Sequence, residues 1–91
     1  MLKEKLTQDI KDAMKAGEVQ KRDVLRMLQS AMKYKEIEKM APLTEEELLK
    51  VVAKEIKNRT KAIELFKQGN RQDLVDQNEA EIKILEPYAL G

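Results

Sequence analysis

The run TEEELLKVVAKEIKNRTKAIELFKQG, residues 44–69, decides the fold of this chain. Thr44 and Glu47 have the spacing of a capping box, in which each side chain accepts a hydrogen bond from the other residue's backbone N–H. The glutamates at positions 45–47 place negative charge where the helix dipole is positive. Apolar residues then recur at helical spacing: Leu48, Val52, Ile56, Ile63 and Phe66. The stretch therefore predicts an amphipathic helix that begins after Thr44 and ends at Gly69.

Three more helices are predicted around this one. The first covers about residues 2–16 and ends at Gly17, which accepts a left-handed backbone without penalty. The second covers about 19–40 and ends before Pro42. The fourth has Asn70 as its N-cap and Pro87 just past its end. Their apolar faces are Leu2, Leu6, Ile10, Ala13 and Met14; Val24, Met27, Leu28, Ala31 and Met32; and Leu74, Val75, Ile82 and Leu85.

Short connections between these helices fix the predicted architecture. Helices joined by a few residues pack as antiparallel neighbours, which gives two helical hairpins. A chain of 91 residues is long enough for one domain with a thin core. The sequence therefore predicts an all-α protein, a small four-helix up-down bundle made of two hairpins, with a single domain over residues 1–91.

Composition removes several kinds of chemistry. The chain has no cysteine and no histidine, so it lacks thiolate zinc ligands, the commonest general base and the usual activator of a serine or threonine nucleophile. It has no glycine-rich phosphate loop. We expect no catalytic residue, no metal and no cofactor, although a lysine nucleophile stays open. With no apolar run of about 20 residues and no secretory signal, we expect a cytoplasmic protein without a membrane span.

Two polar residues break the apolar faces. Arg59 and Asn78 project onto the apolar stripes of the third and fourth helices. Arg59 either extends its charged head to the edge of the core, or it belongs to a buried hydrogen-bonded pair that fixes the helix register. Both interpretations make Arg59 and Asn78 a structural polar core. Val51, Leu65 and Ile84 fall off their stripes, so we expect them to be exposed.

A line of lysines is the strongest binding signal. Lys50, Lys54, Lys57 and Lys61 are spaced i, i+4, i+7 and i+11, which places them along one helix face opposite the apolar stripe. We call these four residues the basic ridge. They favour a surface that binds phosphates and releases counterions, so they are the predicted nucleic-acid-binding residues. The alternative is an ordinary solvated lysine face. The ridge contains no aromatic residue on which bases would stack, which favours backbone recognition of a folded RNA over single-strand binding.

The order of several short runs resembles a known family. The runs are KDAMKAG (11–17), LRML (25–28), AMK (31–33), KEIKNR (54–59), Phe66, RQDL (71–74) and EAEIKIL (79–85). Together they resemble the N-terminal half of the bacterial YqeY proteins over nearly the whole chain. In that family a tyrosine matching Tyr88 is usually followed by Leu-Pro and a second small helical domain. Here Ala89-Leu90-Gly91 follow, so we expect that second domain to be absent.

The resemblance also implies a function. YqeY proteins are all-helical and cytoplasmic, and they share a domain with the tail of the B subunit of the glutamine-dependent tRNA amidotransferase. In that enzyme the tail contacts tRNA, while ATP use and amide transfer belong to other domains. A carbon–nitrogen ligase activity is therefore implied only by inheritance from the shared domain.

Two hypotheses for the function follow from the residues and the resemblance. One is a non-catalytic module that binds tRNA or is associated with the amidotransferase. The other is a protein–protein interaction adaptor that docks on an amidotransferase or an aminoacyl-tRNA synthetase, with a surface that includes Val51, Leu65 and Ile84.

Overall fold

The third helix begins where its capping box predicts. In a computed structural model, which describes residues 2–89, the Thr44 backbone N–H donates to Glu47 Oε1 at 2.9 Å. The Glu47 N–H donates to Thr44 Oγ1 at 3.2 Å in return. The described residues form four helices: α1 (Leu2–Ala16), α2 (Val19–Lys39), α3 (Glu45–Gln68) and α4 (Gln72–Ala89). The predicted helices are confirmed, with boundary changes at the ends of α2 and α4.

Three of the helices end in the same way. Gly17, Met40 and Asn70 follow α1, α2 and α3, and all have a left-handed backbone, with φ of 71°, 62° and 56°. After α3, the Asn70 N–H donates to the Lys67 carbonyl at 3.2 Å and the Arg71 N–H to the Phe66 carbonyl at 2.9 Å. This is the Schellman motif, which satisfies the last carbonyls of a helix.

Asn70 therefore ends α3, and its predicted role as the N-cap of α4 is wrong. Gly69 keeps a φ of −89°, so the left-handed residue that turns the chain comes one position later. Asparagine tolerates that conformation better than most residues. The first carbonyl used by α4 is that of Arg71, which accepts from Leu74 and Val75 N–H, both at 3.1 Å.

Pro87 lies inside α4 and not past its end. Proline has no N–H, so one helical hydrogen bond is lost in the last turn. The next residue, Tyr88, is buried in the core, and this burial keeps the last turn helical through Ala89. The predicted helix end at Pro87 is wrong because tertiary packing outweighs the local cost of proline.

One core joins the four helices. It contains Leu2, Leu6, Ile10, Val24, Leu25, Leu28, Met32, Leu48, Val51, Val52, Leu85 and Tyr88. α1 packs along α2 and α3 along α4, while α2 also packs against both α3 and α4. The predicted bundle of two hairpins with a shared core is confirmed. Its short dimension is 22 Å, about two helix diameters, so every helix keeps one long face in solvent.

Several predicted core positions differ from the structure. Met14 and Met27 are half-exposed, whereas Leu25 is fully buried. Val51 is buried and Ile84 packs against the core, so their expected exposure is wrong. The reason for Val51 is that α3 lies against two helices, α2 and α4, which widens its buried face beyond a single stripe. Of the three residues expected off the stripes, only Leu65 is exposed, at 67%.

Tyr88 joins the last helix to the first. Its hydroxyl donates to Asp9 Oδ2, and Lys5 Nζ lies 5.1 Å from the centroid of its ring. Burial of the ring, together with the hydrogen bond to Asp9, raises the pKa of Tyr88 well above its ordinary value of 10. The neutral phenol is therefore part of the folded structure.

We expect Met40→Gly to stabilise the protein. Met40 is 90% exposed and has a left-handed backbone, which glycine adopts at no steric cost. The free energy of unfolding should rise by about 0.5–1 kcal/mol, measured by urea denaturation followed by circular dichroism. Met27→Gly is the matched control inside α2, where the same change should lower the free energy of unfolding by about 1 kcal/mol. Changes of equal sign in the two variants would contradict this account.

Tyr88→Phe should show a pH-dependent loss of stability. Removing a hydrogen bond to a carboxylate should lower the free energy of unfolding by about 1–3 kcal/mol at pH 7. Because the pKa of Tyr88 is raised on folding, its contribution is fully present below pH 10 and is lost as the pH rises further. Urea titrations at pH 7 to 11 should show the gap between wild type and Tyr88→Phe shrinking above pH 10. A constant gap would mean that the hydroxyl contributes nothing through ionisation.

Candidate nucleic-acid interface

The basic ridge lies along the solvent face of α3. Its four lysines, Lys50, Lys54, Lys57 and Lys61, are all exposed. At a rise of 1.5 Å per residue, the Cα atoms at the two ends of the ridge are about 16 Å apart. The ridge is a straight cationic line because the 24-residue helix α3 carries it without interruption.

The ridge lysines are not neutralised by their neighbours. None of the four forms an ion pair with another residue in the 2–89 range, whereas Lys3, Lys35 and Lys39 each have a carboxylate partner. Glu46 and Glu64 have the spacing to offset Lys50 and Lys61, but neither forms such a pair. Four like charges in a row repel each other by a few tenths of a kcal/mol per pair. An anionic ligand bound along the ridge would relieve that repulsion.

An open groove of about 560 Å³ lies beside the ridge, between the end of α2 and the start of α3. Its lining residues are Lys35, Glu38, Lys39, Leu43, Glu47, Lys50, Val51 and Lys54. Lys50 and Lys54 of the ridge therefore line one side of the groove, and residues of α2 line the other side. Sequence reasoning missed Lys35 and Lys39, because they are on another helix and share no periodicity with the ridge.

Lys39 is bound within the protein. Its Nζ lies 2.5 Å from Glu47 Oε1 and 3.3 Å from the Pro42 carbonyl oxygen. The hydrogen bond from Lys39, followed by the one from the Thr44 backbone, lowers the pKa of Glu47 to about 2. Lys39 and Glu47 thus hold the connection between α2 and α3, and their charges cancel in the groove.

Arg59 is 7% exposed and lies between α3 and α4. Its Nε donates to Glu81 Oε1 at 3.0 Å, and one Nη donates to Glu55 Oε1 and to the Glu55 carbonyl, each at 3.2 Å. Asn78 is not part of this network, because its side-chain amide donates to the Leu74 carbonyl of its own helix at 2.8 Å. Arg59 is buried with two carboxylate partners, so its guanidinium is not offered to a ligand.

Carboxyl groups with a displaced pKa serve as ion-pair partners. A hydrogen bond from Lys3 lowers the pKa of Glu36, and one from Arg71 lowers the pKa of Asp73. Lowered values keep these groups ionised, whereas a general acid at neutral pH needs a raised pKa. The arrangement on α3 and in the groove is suited to holding phosphates through cationic contacts.

None of the helices formed by residues 2–89 is both long and apolar enough to cross a membrane.

Comparison with known proteins supports the family resemblance. The profile of the family described as Yqey-like protein matches residues 3–89. The chain is 42% identical over 84 residues to "Altered inheritance of mitochondria protein 41, mitochondrial" of Kluyveromyces lactis, and 38% identical to the protein of the same name in Lachancea thermotolerans. Each match covers 91% of this chain and 45% of the relative. The chain thus spans less than half the length of these relatives. It is also 30% identical over 77 residues to an uncharacterised protein of Schizosaccharomyces pombe, covering 85% of this chain and 63% of that protein.

The expected cytoplasmic location is contradicted by these names. Four relatives, from K. lactis, L. thermotolerans, Vanderwaltozyma polyspora and Eremothecium gossypii, are named as mitochondrial proteins. The expectation rested on the resemblance to bacterial cytoplasmic proteins and on the lack of a secretory signal and of an apolar span. Those features separate secreted and membrane proteins from the rest, but they do not distinguish the cytoplasm from the mitochondrial interior.

Removing Arg59 should destabilise the bundle strongly. Arg59→Met leaves Glu55 and Glu81, whose side chains are 21% and 16% exposed, without their cation. We expect the free energy of unfolding to fall by about 2–4 kcal/mol, measured by urea denaturation. Adding Glu81→Leu should restore most of that loss, because it removes an unpaired carboxylate.

Arg71→Met is the matched control for Arg59→Met. Arg71 pairs with Asp73 at 3.2 Å, but both side chains are more than half exposed. This variant should cost less than about 1 kcal/mol. If Arg59→Met costs no more than Arg71→Met, the network around Arg59 does not stabilise the packing of α3 on α4.

Proposed function

The chain belongs to the YqeY-like family, and on that premise we propose that it is a non-catalytic helical module that binds tRNA through the basic ridge. The observation that carries this proposal is the line of four exposed lysines on α3, none of which forms an ion pair with another of the residues 2–89. Lysines that contact phosphates release condensed counterions, and this release supplies the binding free energy without a deep pocket. A thin bundle of this size offers its ligand a surface of this kind and not an enclosed site.

The shape of the surface supports a folded RNA over a single strand. Single-strand binding requires aromatic side chains on which bases stack. Tyr88 is buried, Phe66 is partly buried on α3 outside the ridge, and Tyr34 lies on α2. The ridge itself offers only cationic contacts, which suit the regular backbone of a structured RNA.

Association with the glutamine-dependent tRNA amidotransferase is the second part of the proposal. The resemblance of the chain to the tail of the enzyme's B subunit supports it, because that tail contacts tRNA. In the longer relatives, the matching region is less than half of the protein. Their names favour action in the mitochondrion.

The alternative is a protein–protein adaptor that docks on an amidotransferase or a synthetase. Its predicted surface no longer holds, because Val51 is buried and Ile84 packs against the core. What favours it now is a different set of exposed apolar residues on α2, namely Met27, Tyr34 and Ile37, spaced seven and three residues apart. An apolar surface predicts binding with little dependence on salt, whereas the ridge predicts a steep dependence.

Titration of labelled tRNA tests the proposal. A fluorescent mixture of bacterial tRNA is followed by anisotropy at 50 and 200 mM salt. If four phosphates are contacted, the affinity should fall by about 50- to 150-fold between the two conditions. A triple variant that combines Lys54→Glu, Lys57→Glu and Lys61→Glu should not bind tRNA, while circular dichroism shows that it is folded.

The control for this triple variant carries the same change of net charge elsewhere. Lys11→Glu, Lys15→Glu and Lys33→Glu replace three exposed lysines of α1 and α2 that have no ion-pair partner within residues 2–89. This control should retain most of the binding. Equal losses in the two triple variants would show that only net charge matters, and absence of wild-type binding at 50 mM salt would refute the proposal.

A further inference from the structure

We infer that the groove between α2 and α3 receives the sugar–phosphate backbone of a double-stranded RNA stem, and that Lys35 of α2 completes the contact begun by Lys50 and Lys54. This inference rests on the proposed function and names the ligand class of the same surface. It assigns a contact to a helix outside the basic ridge.

The two sides of the groove are not equivalent in charge. On α3, Lys50 and Lys54 line the groove without ion-pair partners among residues 2–89. On α2, Lys39 is committed to Glu47 and to the Pro42 carbonyl. Lys35 is the other α2 lysine that lines the groove, and it is available to a ligand. Its pair with Glu38 is 3.5 Å long, and both side chains are about half exposed. An exposed pair of this kind contributes little free energy, so Lys35 exchanges Glu38 for a phosphate at small cost.

The rest of the lining matches a sugar–phosphate strand. Leu43, which is partly exposed, gives the groove an apolar part between the two cationic sides. A nucleic-acid backbone alternates anionic phosphates with less polar sugars, and it fits such a surface with phosphates at the lysines and a sugar against Leu43. Of the two lining carboxylates, Glu47 is already bonded to Lys39 and Thr44, whereas Glu38 is left free once Lys35 turns to a phosphate. Glu38 then accepts a hydrogen bond from a ribose 2′-hydroxyl, a group that DNA lacks.

The geometry favours a duplex. Lys50, Lys54, Lys57 and Lys61 are held on one continuous helix and form a fixed array. A rigid duplex backbone binds such an array with a smaller loss of conformational entropy than a flexible strand does. Among residues 2–89, no aromatic residue lines the groove, so unstacked bases gain nothing there. Double-stranded RNA is recognised mainly through its shape, its phosphates and its 2′-hydroxyls, which are the contacts this groove provides.

Three labelled probes of one sequence test the ligand class. They are a 20-base-pair RNA duplex, the matching DNA duplex and the single-stranded RNA. The wild-type protein should bind the RNA duplex at least several-fold more tightly than either of the others. Tighter binding of the single strand, or equal binding of the RNA and DNA duplexes, would overturn the inference and leave tRNA binding by the ridge intact.

The variants Lys35→Gln and Lys33→Gln test whether Lys35 contacts a phosphate of the RNA. Both lysines are exposed on α2, but Lys33 lines a different groove, between α1 and α2. With the RNA duplex, Lys35→Gln should reduce the steepness of log K against log salt by about 0.7–0.9, the loss of one phosphate contact. Lys33→Gln should leave the slope unchanged.

The outcomes separate this inference from the proposed function. If Lys35→Gln behaves like Lys33→Gln while the triple ridge variant has lost tRNA binding, the ridge binds RNA and the groove does not. If the wild-type protein binds none of the probes and no tRNA, the proposed function and the inference both fail.

Discussion

The packing of α2 between its hairpin partner α1 and the hairpin of α3 and α4 is the constraint on which the rest of the structure depends. Leu25 and Leu28 are fully buried, and α2 packs against α1, α3 and α4. Each buried leucine contributes about 1.5–3 kcal/mol, a large share of the 5–15 kcal/mol that typically stabilises a small domain. Without α2 the hairpin of α3 and α4 would lack most of its remaining apolar contacts, and the groove beside the ridge would have only one side.

Charged side chains divide into two groups with different roles. One group fastens the ends of the helices. Glu36 accepts from Lys3 and, at 2.9 Å, from the Leu43 N–H, while Glu45 accepts from the Leu2 N–H at 3.3 Å. These contacts hold the start of α1 against the connection between α2 and α3. The other group, the basic ridge, lies along the middle of α3 without ion-pair partners in the described part of the chain. Because charges are paired at the junctions, this protein of net charge +1 still has one cationic face, along α3.

Arg59 shows how a residue that breaks a pattern is accommodated. A buried guanidinium requires hydrogen-bonded partners, and Glu55 and Glu81 supply them from its own helix and from α4. The ion pairs span α3 and α4 beyond the shared core, where Ile63 and Val75 are buried outside the main cluster. The positive charge of Arg59 is therefore neutralised inside the protein by Glu55 and Glu81, while the charges of the ridge lysines are exposed to solvent.

The sequence by itself determined the features that depend on residues three or four positions apart. The capping box at Thr44 and Glu47, the left-handed Gly17 and the alignment of Lys50 to Lys61 on one face follow from local helical geometry. Only the tertiary structure decided which faces are covered. Periodicity shows which residues share a face, but burial depends on how many helices pack there. That is why Val51 is buried and Met27 is exposed, against the sequence-based expectation.

The partners of polar groups were likewise decided by tertiary structure. Lys35 and Lys39 are near neighbours in the sequence with the same side chain, yet Lys39 is bound to Glu47 and Lys35 faces the groove with a weak partner. Tyr88 of α4 donates a hydrogen bond to Asp9, 79 positions away in the chain, and its burial keeps α4 helical past Pro87. Arg59 donates to Glu81, 22 positions away. Contacts at such separations leave no periodic trace in the sequence, because they are set by the packing of one helix on another.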